Sequence, residues 1–292
     1  MNNYDALEEK PWIADHRRDF LDFRFVYPVI SRRSGGLSLG INLNQNHHCN
    51  FRCQYCQVEG RSNTPESDNP VWLEVLEGEL RSLLQMIEDG KLWLHPRFES
   101  VPENLRTLKD IAIAGNGEPA LSPLLPKVLL KLDSWHQRGE FNSKVILISN
   151  GTRLGRPEVV EALKKIQSMQ LELWLKMDTT DPEQYKVLHQ SPYQPKDLLR
   201  NLKRLPSHFT LRLQTMLTKF GDQEPVLWNP ESHVEMLREI RQLPIELKEL
   251  QLLTMARSSA DHKIYPVTKR ELTEAEFYLR THCPDLNVQV YG

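Results

Sequence analysis

The sequence predicts an α/β chain built on a parallel sheet. Three observations carry this: short apolar runs alternate with amphipathic helical runs six times, several helical runs carry terminal signals, and 292 residues fall within the range of one barrel-like domain.

The first strand is "LSLGINL" (37–43), followed at once by a loop rich in cysteine. A helix pattern runs through "VWLEVLEGELRSLLQMIEDG" and ends on Gly90 as a C-cap. A proline-containing, charged loop covers 91–109, before the strand "IAIAG" (111–115) and a helix within "LLPKVLLKLDSWHQRG". "KVILISNG" (144–151) reads as a buried strand, and "PEVVEALKKIQSMQ" as a helix opened by Pro157 in its first turn. Strand "LELWLKMD" (171–178) precedes helical material between Asp181 and Leu205, broken by prolines. Strand "TLRLQTML" (210–217) and helix "ESHVEMLREIRQL" follow, then strand "ELQLLTM" (249–255), helix "KRELTEAEFYLRTH" and a final strand, "NVQVYG". Alternation alone fits either an open doubly wound sheet or a curved barrel of fewer than eight units. In both, ligands sit beyond the C-terminal strand ends, so the residues just after each strand carry the information.

A chain this long buries a full core without disulfides. The net charge of −2 gives no global footprint for nucleic acid. The start, "MNNYDALEEKPWIADHRRDF", lacks an apolar signal region, and no apolar run approaches a membrane span. A cytoplasmic location is expected, where clustered cysteines bind metal or catalyse.

Three of the four cysteines, Cys49, Cys53 and Cys56, fall in "HHCNFRCQYCQVEG"; the fourth, Cys283, is far away. Clustered thiolates select zinc, Cu(I) or an iron–sulfur cluster. Structural zinc closes its tetrahedron with four protein ligands. Here there is no second pair, and His47 or His48 would have to complete such a site. A [4Fe–4S] cluster held by three cysteines leaves one iron open.

The spacing C-x3-C-x-aromatic-C, with Tyr55 before Cys56, resembles the signature of the radical S-adenosylmethionine (SAM) enzymes. The resemblance implies a partial (β/α)6 TIM-like barrel over residues 37–292, with 1–36 as an N-terminal extension and lead-in. It implies a [4Fe–4S] cluster on Cys49, Cys53 and Cys56, whose fourth iron binds SAM. Reductive cleavage to a 5′-deoxyadenosyl radical would then abstract hydrogen from an unidentified substrate, fed by an external low-potential donor such as a flavodoxin.

Other strand ends fit the resemblance. "IAIAGNGEPALSP" sets Gly115, Gly117 and Glu118 after the second strand, where a Gly-Gly-Glu-like motif binds the methionine amino group in that family; here Asn116 replaces the second glycine. Ser149 and Asn150, in an Asn-Gly turn after the third strand, are expected on the SAM ribose or carboxylate. Tyr55 is expected near the adenine edge. Lys176 and Asp178 share one face of their strand, as do Arg212 and Gln214 of the next, and all four are candidate cofactor contacts. Lys176 and Asp178 alternatively pair with each other or a neighbour, and Arg212 alternatively faces outward.

The lead-in "VYPVISRRSGGLSLGINLNQNHHCNFRCQYCQ" and "LLTMARSSAD", with Arg257, resemble a bacterial branch of iron–sulfur oxidoreductases similar to the tRNA wyosine-forming enzymes. Arg32 and Arg33 there otherwise read as a solvated basic loop. The wyosine-forming relatives use a second cluster, for which Cys283 alone does not suffice. An RNA-modifying enzyme, a glycyl-radical activating enzyme and a non-catalytic metal-binding protein remain the alternatives.

Overall fold

A computed structural model describes residues 19–291 apart from 59, 61, 66, 70 and 256–263. Arg257 therefore lies outside the described residues.

Eight strands form one sheet in the order β1 (Val26–Ser31), β2 (Gly36–Ile41), β3 (Leu108–Ile113), β4 (Lys144–Ser149), β5 (Leu171–Lys176), β6 (Thr210–Met216), β8 (Glu246–Leu253) and β10 (Val288–Tyr291). From β2 onward every pairing is parallel. A small antiparallel ribbon joins β7 (Thr218–Lys219) to β9 (Tyr265–Pro266). The helices are α1 (Val71–Glu88), α2 (Leu125–Gln137), α3 (Pro157–Lys165), α4 (Pro182–His189), α5 (Pro195–Leu202), α6 (Pro230–Arg241) and α7 (Lys269–His282). The broken helical stretch between Asp181 and Leu205 is thus two helices, each opened by a proline. Gly90 is left-handed at φ 73°, and so ends α1 as its C-cap position requires.

The lead-in contains a strand the sequence reading did not assign. β1 pairs antiparallel with β2 at the sheet edge, where Pro28 is tolerated because an edge strand has one unpaired side. Glu79 of α1 fastens it, accepting backbone hydrogen bonds from Arg24 (2.6 Å), Phe25 (2.8 Å) and Val26 (3.1 Å).

Alternation along each strand separates two interiors. Leu39, Ile41, Ile111, Val145, Leu173 and Leu213 face the helices in the main core. Ala112, Ile146 and Trp174 form a second apolar cluster on the other face. One cavity of about 800 Å³ is lined by Tyr27 of β1 and by Leu253 and Tyr291 of β8 and β10, so opposite sheet edges meet around it. The sheet is therefore curled into a partial barrel, with Trp174 in its lumen. Tyr27 lies across β2: a side chain at Gly40 would stand 2.1 Å from the tyrosine ring. Among the described residues, no helix is long and apolar enough to cross a membrane.

Candidate functional site

The cysteine loop leaves the C-terminal end of β2 and is tied down on three sides. Toward β3, the Asn42 side-chain oxygen accepts from the backbone of Asn44 (3.1 Å) and Asn116 (3.2 Å), and Glu118 N–H donates to the His48 carbonyl at 3.0 Å. Gly117 is required there: a Cβ would come within 2.2 Å of that same carbonyl. Toward β4, Asn150 donates to Asn50 (2.8 Å), which donates to Thr152 (2.7 Å). Toward α4, Arg52 and Gln54 N–H donate to the carbonyls of His189 (2.8 Å) and Leu188 (2.9 Å).

Cys49, Cys53 and Cys56 are in no disulfide and line the lumen cavity together. Phe51 N–H lies 3.4 Å from Cys49 Sγ, Val58 N–H lies 3.5 Å from Cys56 Sγ, and His189 Nδ1 lies 3.4 Å from Cys53 Sγ. Burial pushes the Cys53 thiol up to about 12, so its ionisation requires a cation at the sulfur. Among the described residues no three His, Cys, Asp or Glu side chains converge on one ion position. An iron–sulfur cluster spreads its ligands over several irons, and three soft thiols on one loop, two of them beside backbone N–H groups and the third beside a histidine nitrogen, fit that group. Cys283 is buried at the end of α7 in the main core, away from this loop.

His189 is held by aromatic rings. Phe51 stacks on it at 4.7 Å and Tyr185 meets it edge-on at 4.4 Å, while its Nε2 lies 3.7 Å from Asp178. Burial lowers its pKa to about 4, so the imidazole is neutral. No local pattern in the sequence marks this residue, because its role depends on α4 meeting the cysteine loop.

Lys176 and Asp178 are linked through Tyr55. Lys176 Nζ donates to the Tyr55 hydroxyl at 3.0 Å, and that hydroxyl donates to Asp178. Asp178 also accepts from Met216 N–H at 2.9 Å. Lys176 and Tyr55 reach the cavity wall; Asp178 does not and is buried behind them. Burial, and then Asp178, raise the Tyr55 pKa, which keeps the hydroxyl protonated.

Glu118 lines the cavity with Gly115 and Gly117. It accepts from Ala120 N–H (2.9 Å), Ser149 Oγ (2.6 Å) and Asn150 N–H (2.7 Å). Desolvation still wins over these bonds and raises its pKa, leaving a carboxyl that a ligand ammonium would stabilise as carboxylate. Ser149 and Asn150 also reach the wall, although their side chains serve chiefly to fix Glu118 and the cysteine loop.

Arg212 and Gln214 separate. Gln214 lines the cavity and donates to Gln251 at 2.9 Å. Arg212 stands outside the lining: it donates to Glu172 at 2.9 Å and to Glu249 at 2.5 Å. Both carboxylates that meet its guanidinium are supplied by the protein.

No family model matches the chain. UPF0026 proteins of two Helicobacter pylori strains, 26695 and J99, are 27% identical over 148 residues, which is 50% of this chain and 41% of theirs. The matched stretch thus spans less than half the length of these curated relatives. Among solved structures, Streptococcus suis SuiB bound to S-adenosylmethionine superposes with a TM-score of 0.57 at 16% identity, over 89% of this chain and 51% of SuiB. TYW1 with a lysine-pyruvate adduct bound gives 0.52 at 17% identity, over 85% of this chain and 74% of TYW1. SuiB and TYW1 are radical SAM enzymes, and this chain has their fold.

Proposed function

We propose that the chain is a radical SAM enzyme acting on a substrate held in the barrel lumen. The observation that carries this is the joining of three thiols in no disulfide, Glu118 and Lys176 on the wall of one cavity. When bound, a [4Fe–4S] cluster supplies the electron that cleaves SAM to methionine and a 5′-deoxyadenosyl radical, which takes a hydrogen atom from substrate.

The chain's own residues do the rest. Cys49, Cys53 and Cys56 would hold the cluster, and Glu118 would accept hydrogen bonds from the SAM ammonium. The Asn50–Asn150–Thr152 ties and the α4 carbonyls keep the loop in place. Phe51 and Tyr55, both buried, shield the sulfurs from water. Electrons come from an external donor such as a flavodoxin.

Anaerobic reconstitution with iron and sulfide, then dithionite and SAM, tests this with 5′-deoxyadenosine measured by mass spectrometry. Production is expected, and Cys53→Ala should abolish it. Zinc in place of iron and sulfide, with no SAM binding, would overturn the proposal.

A further inference from the structure

The turn between β1 and β2 sends a cation into the lumen. Arg33 reads in the sequence as part of a solvated basic loop, but its guanidinium lies over the Trp174 ring, 5.1 Å from the ring centroid. It lines the same cavity as the cysteines.

The other cations around this space are engaged, Arg32 of the lining among them. Lys144 pairs with Glu172 at 3.1 Å, Arg212 with Glu172 and Glu249, and Lys176 with the Tyr55 hydroxyl. Arg33 has no hydrogen bond or ion pair among the described residues; its ring contact with Trp174 is what holds it. Tyr291 and then Asp110 are the groups whose charge favours the guanidinium; Asp110 accepts from Ser38 Oγ at 2.5 Å, and burial raises its pKa, which weakens it as a counter-ion. Burial likewise pulls the Arg33 pKa down, the signature of a cation lacking full compensation. Trp174 is pinned by its own Nε1–H donating to Glu172 at 2.9 Å, so the platform under Arg33 is rigid.

We propose that Arg33, stacked on Trp174, is a substrate-binding residue that grips a carboxylate or phosphate group of a small molecule in the lumen. The planar guanidinium offers two parallel donors to either oxyanion, and the ring fixes their direction. Arg33 precedes β2 and the cysteine loop follows it. The guanidinium lies over Trp174, two residues along β5 from Lys176, whose Nζ reaches Tyr55 beside Cys56, so an anion gripped by Arg33 would share the lumen with whatever the cysteine loop holds. The proposal rests on the reading of the chain as a radical SAM enzyme only in naming this anion the substrate; the anion site itself does not need SAM chemistry.

The test is isothermal titration calorimetry of the cluster-loaded chain with succinate, inorganic phosphate and the neutral dimethyl succinate. Succinate, phosphate or both should bind, and the one that binds tells carboxylate from phosphate; the diester should not bind. Arg33→Gln should weaken binding at least about tenfold, and Arg33→Lys, which keeps charge but not the fork, should fall between. Lys164→Gln, on the outer surface, should leave it unchanged. In the wild-type chain, the bound anion should also slow phenylglyoxal modification of Arg33, read by peptide mass spectrometry without any substitution. Absence of binding by both anions, equal binding of the diester, or full affinity in Arg33→Gln would each overturn the proposal. 5′-Deoxyadenosine formation, measured on the same preparations, reports separately on the radical SAM reading.

Discussion

Replacing Arg212 by methionine keeps most of the side chain's length and removes its charge. The wild-type guanidinium donates to Glu172 at 2.9 and 3.4 Å and to Glu249 at 2.5 Å. Both carboxylates are nearly buried, at 7% and 6% exposure. Without Arg212, Glu172 retains Lys144, Lys248 at 3.9 Å and Trp174 Nε1, whereas among the described residues Glu249 retains only the Gln251 amide at 2.7 Å. Breaking a buried pair from one side costs about 3–5 kcal/mol; the two remaining lysines place this case near ~3 kcal/mol. Urea denaturation should show that loss at pH 7, and Glu249→Gln in the same chain should recover part of it.

The acid limb adds a sign. Burial works against ionised Glu172, but Trp174 and Arg212 hydrogen bonds and the charges of Lys144 and Arg212 hold its pKa below the usual value. Its contribution is therefore present above the ordinary carboxylate pKa of about 4.3 and is lost as pH falls through the lower folded value. Arg212→Met removes the Arg212 part of that contribution, so the variant has less to lose as Glu172 is protonated. The stability gap to wild type should narrow on acidification. Unchanged stability in Arg212→Met, together with lost SAM binding, would refute this reasoning and return Arg212 to the cofactor contacts the strand pattern predicts.

Glu79→Ala leaves three backbone N–H groups at the start of β1 without their carboxylate, and should cost about 3 kcal/mol in urea denaturation, with faster hydrogen exchange at residues 24–26. Unchanged exchange there would show that Glu79 does not hold β1. Gly117→Ala sets a methyl against the His48 carbonyl and should cut iron and labile sulfide per chain by more than half after reconstitution; full loading would show that the loop yields cheaply. His189→Leu removes the group beside Cys53 Sγ, and an EPR redox titration should give a more negative midpoint, because a hydrogen bond to a ligand sulfur favours the reduced cluster. An unaltered midpoint would assign His189 to packing alone.

The strand and helix order was legible because periodicity, proline at helix starts and glycine at helix ends are local signals. β1 was not, since Pro28 interrupts its pattern and its position depends on β2 and α1. The cysteine loop was readable for the same local reason: its three thiols fall within eight residues of sequence. What lies behind them was not. Tyr55 and Asp178 meet across 123 residues and Cys53 and His189 across 136, through contacts that exist only once the sheet has curled.

The sequence by itself determined the strand–helix alternation from β2 onward, the three-thiol loop and the glycine and acid residues at the strand ends. The tertiary structure decided which polar side chains face the lumen and which are consumed. It spent Arg212 on Glu172 and Glu249, joined Lys176 to Asp178 through Tyr55, and turned Arg33 inward over Trp174. A strand's period of two names a face, but only closure of the barrel says which charges meet across it, and a buried charge takes whichever partner that closure brings within reach.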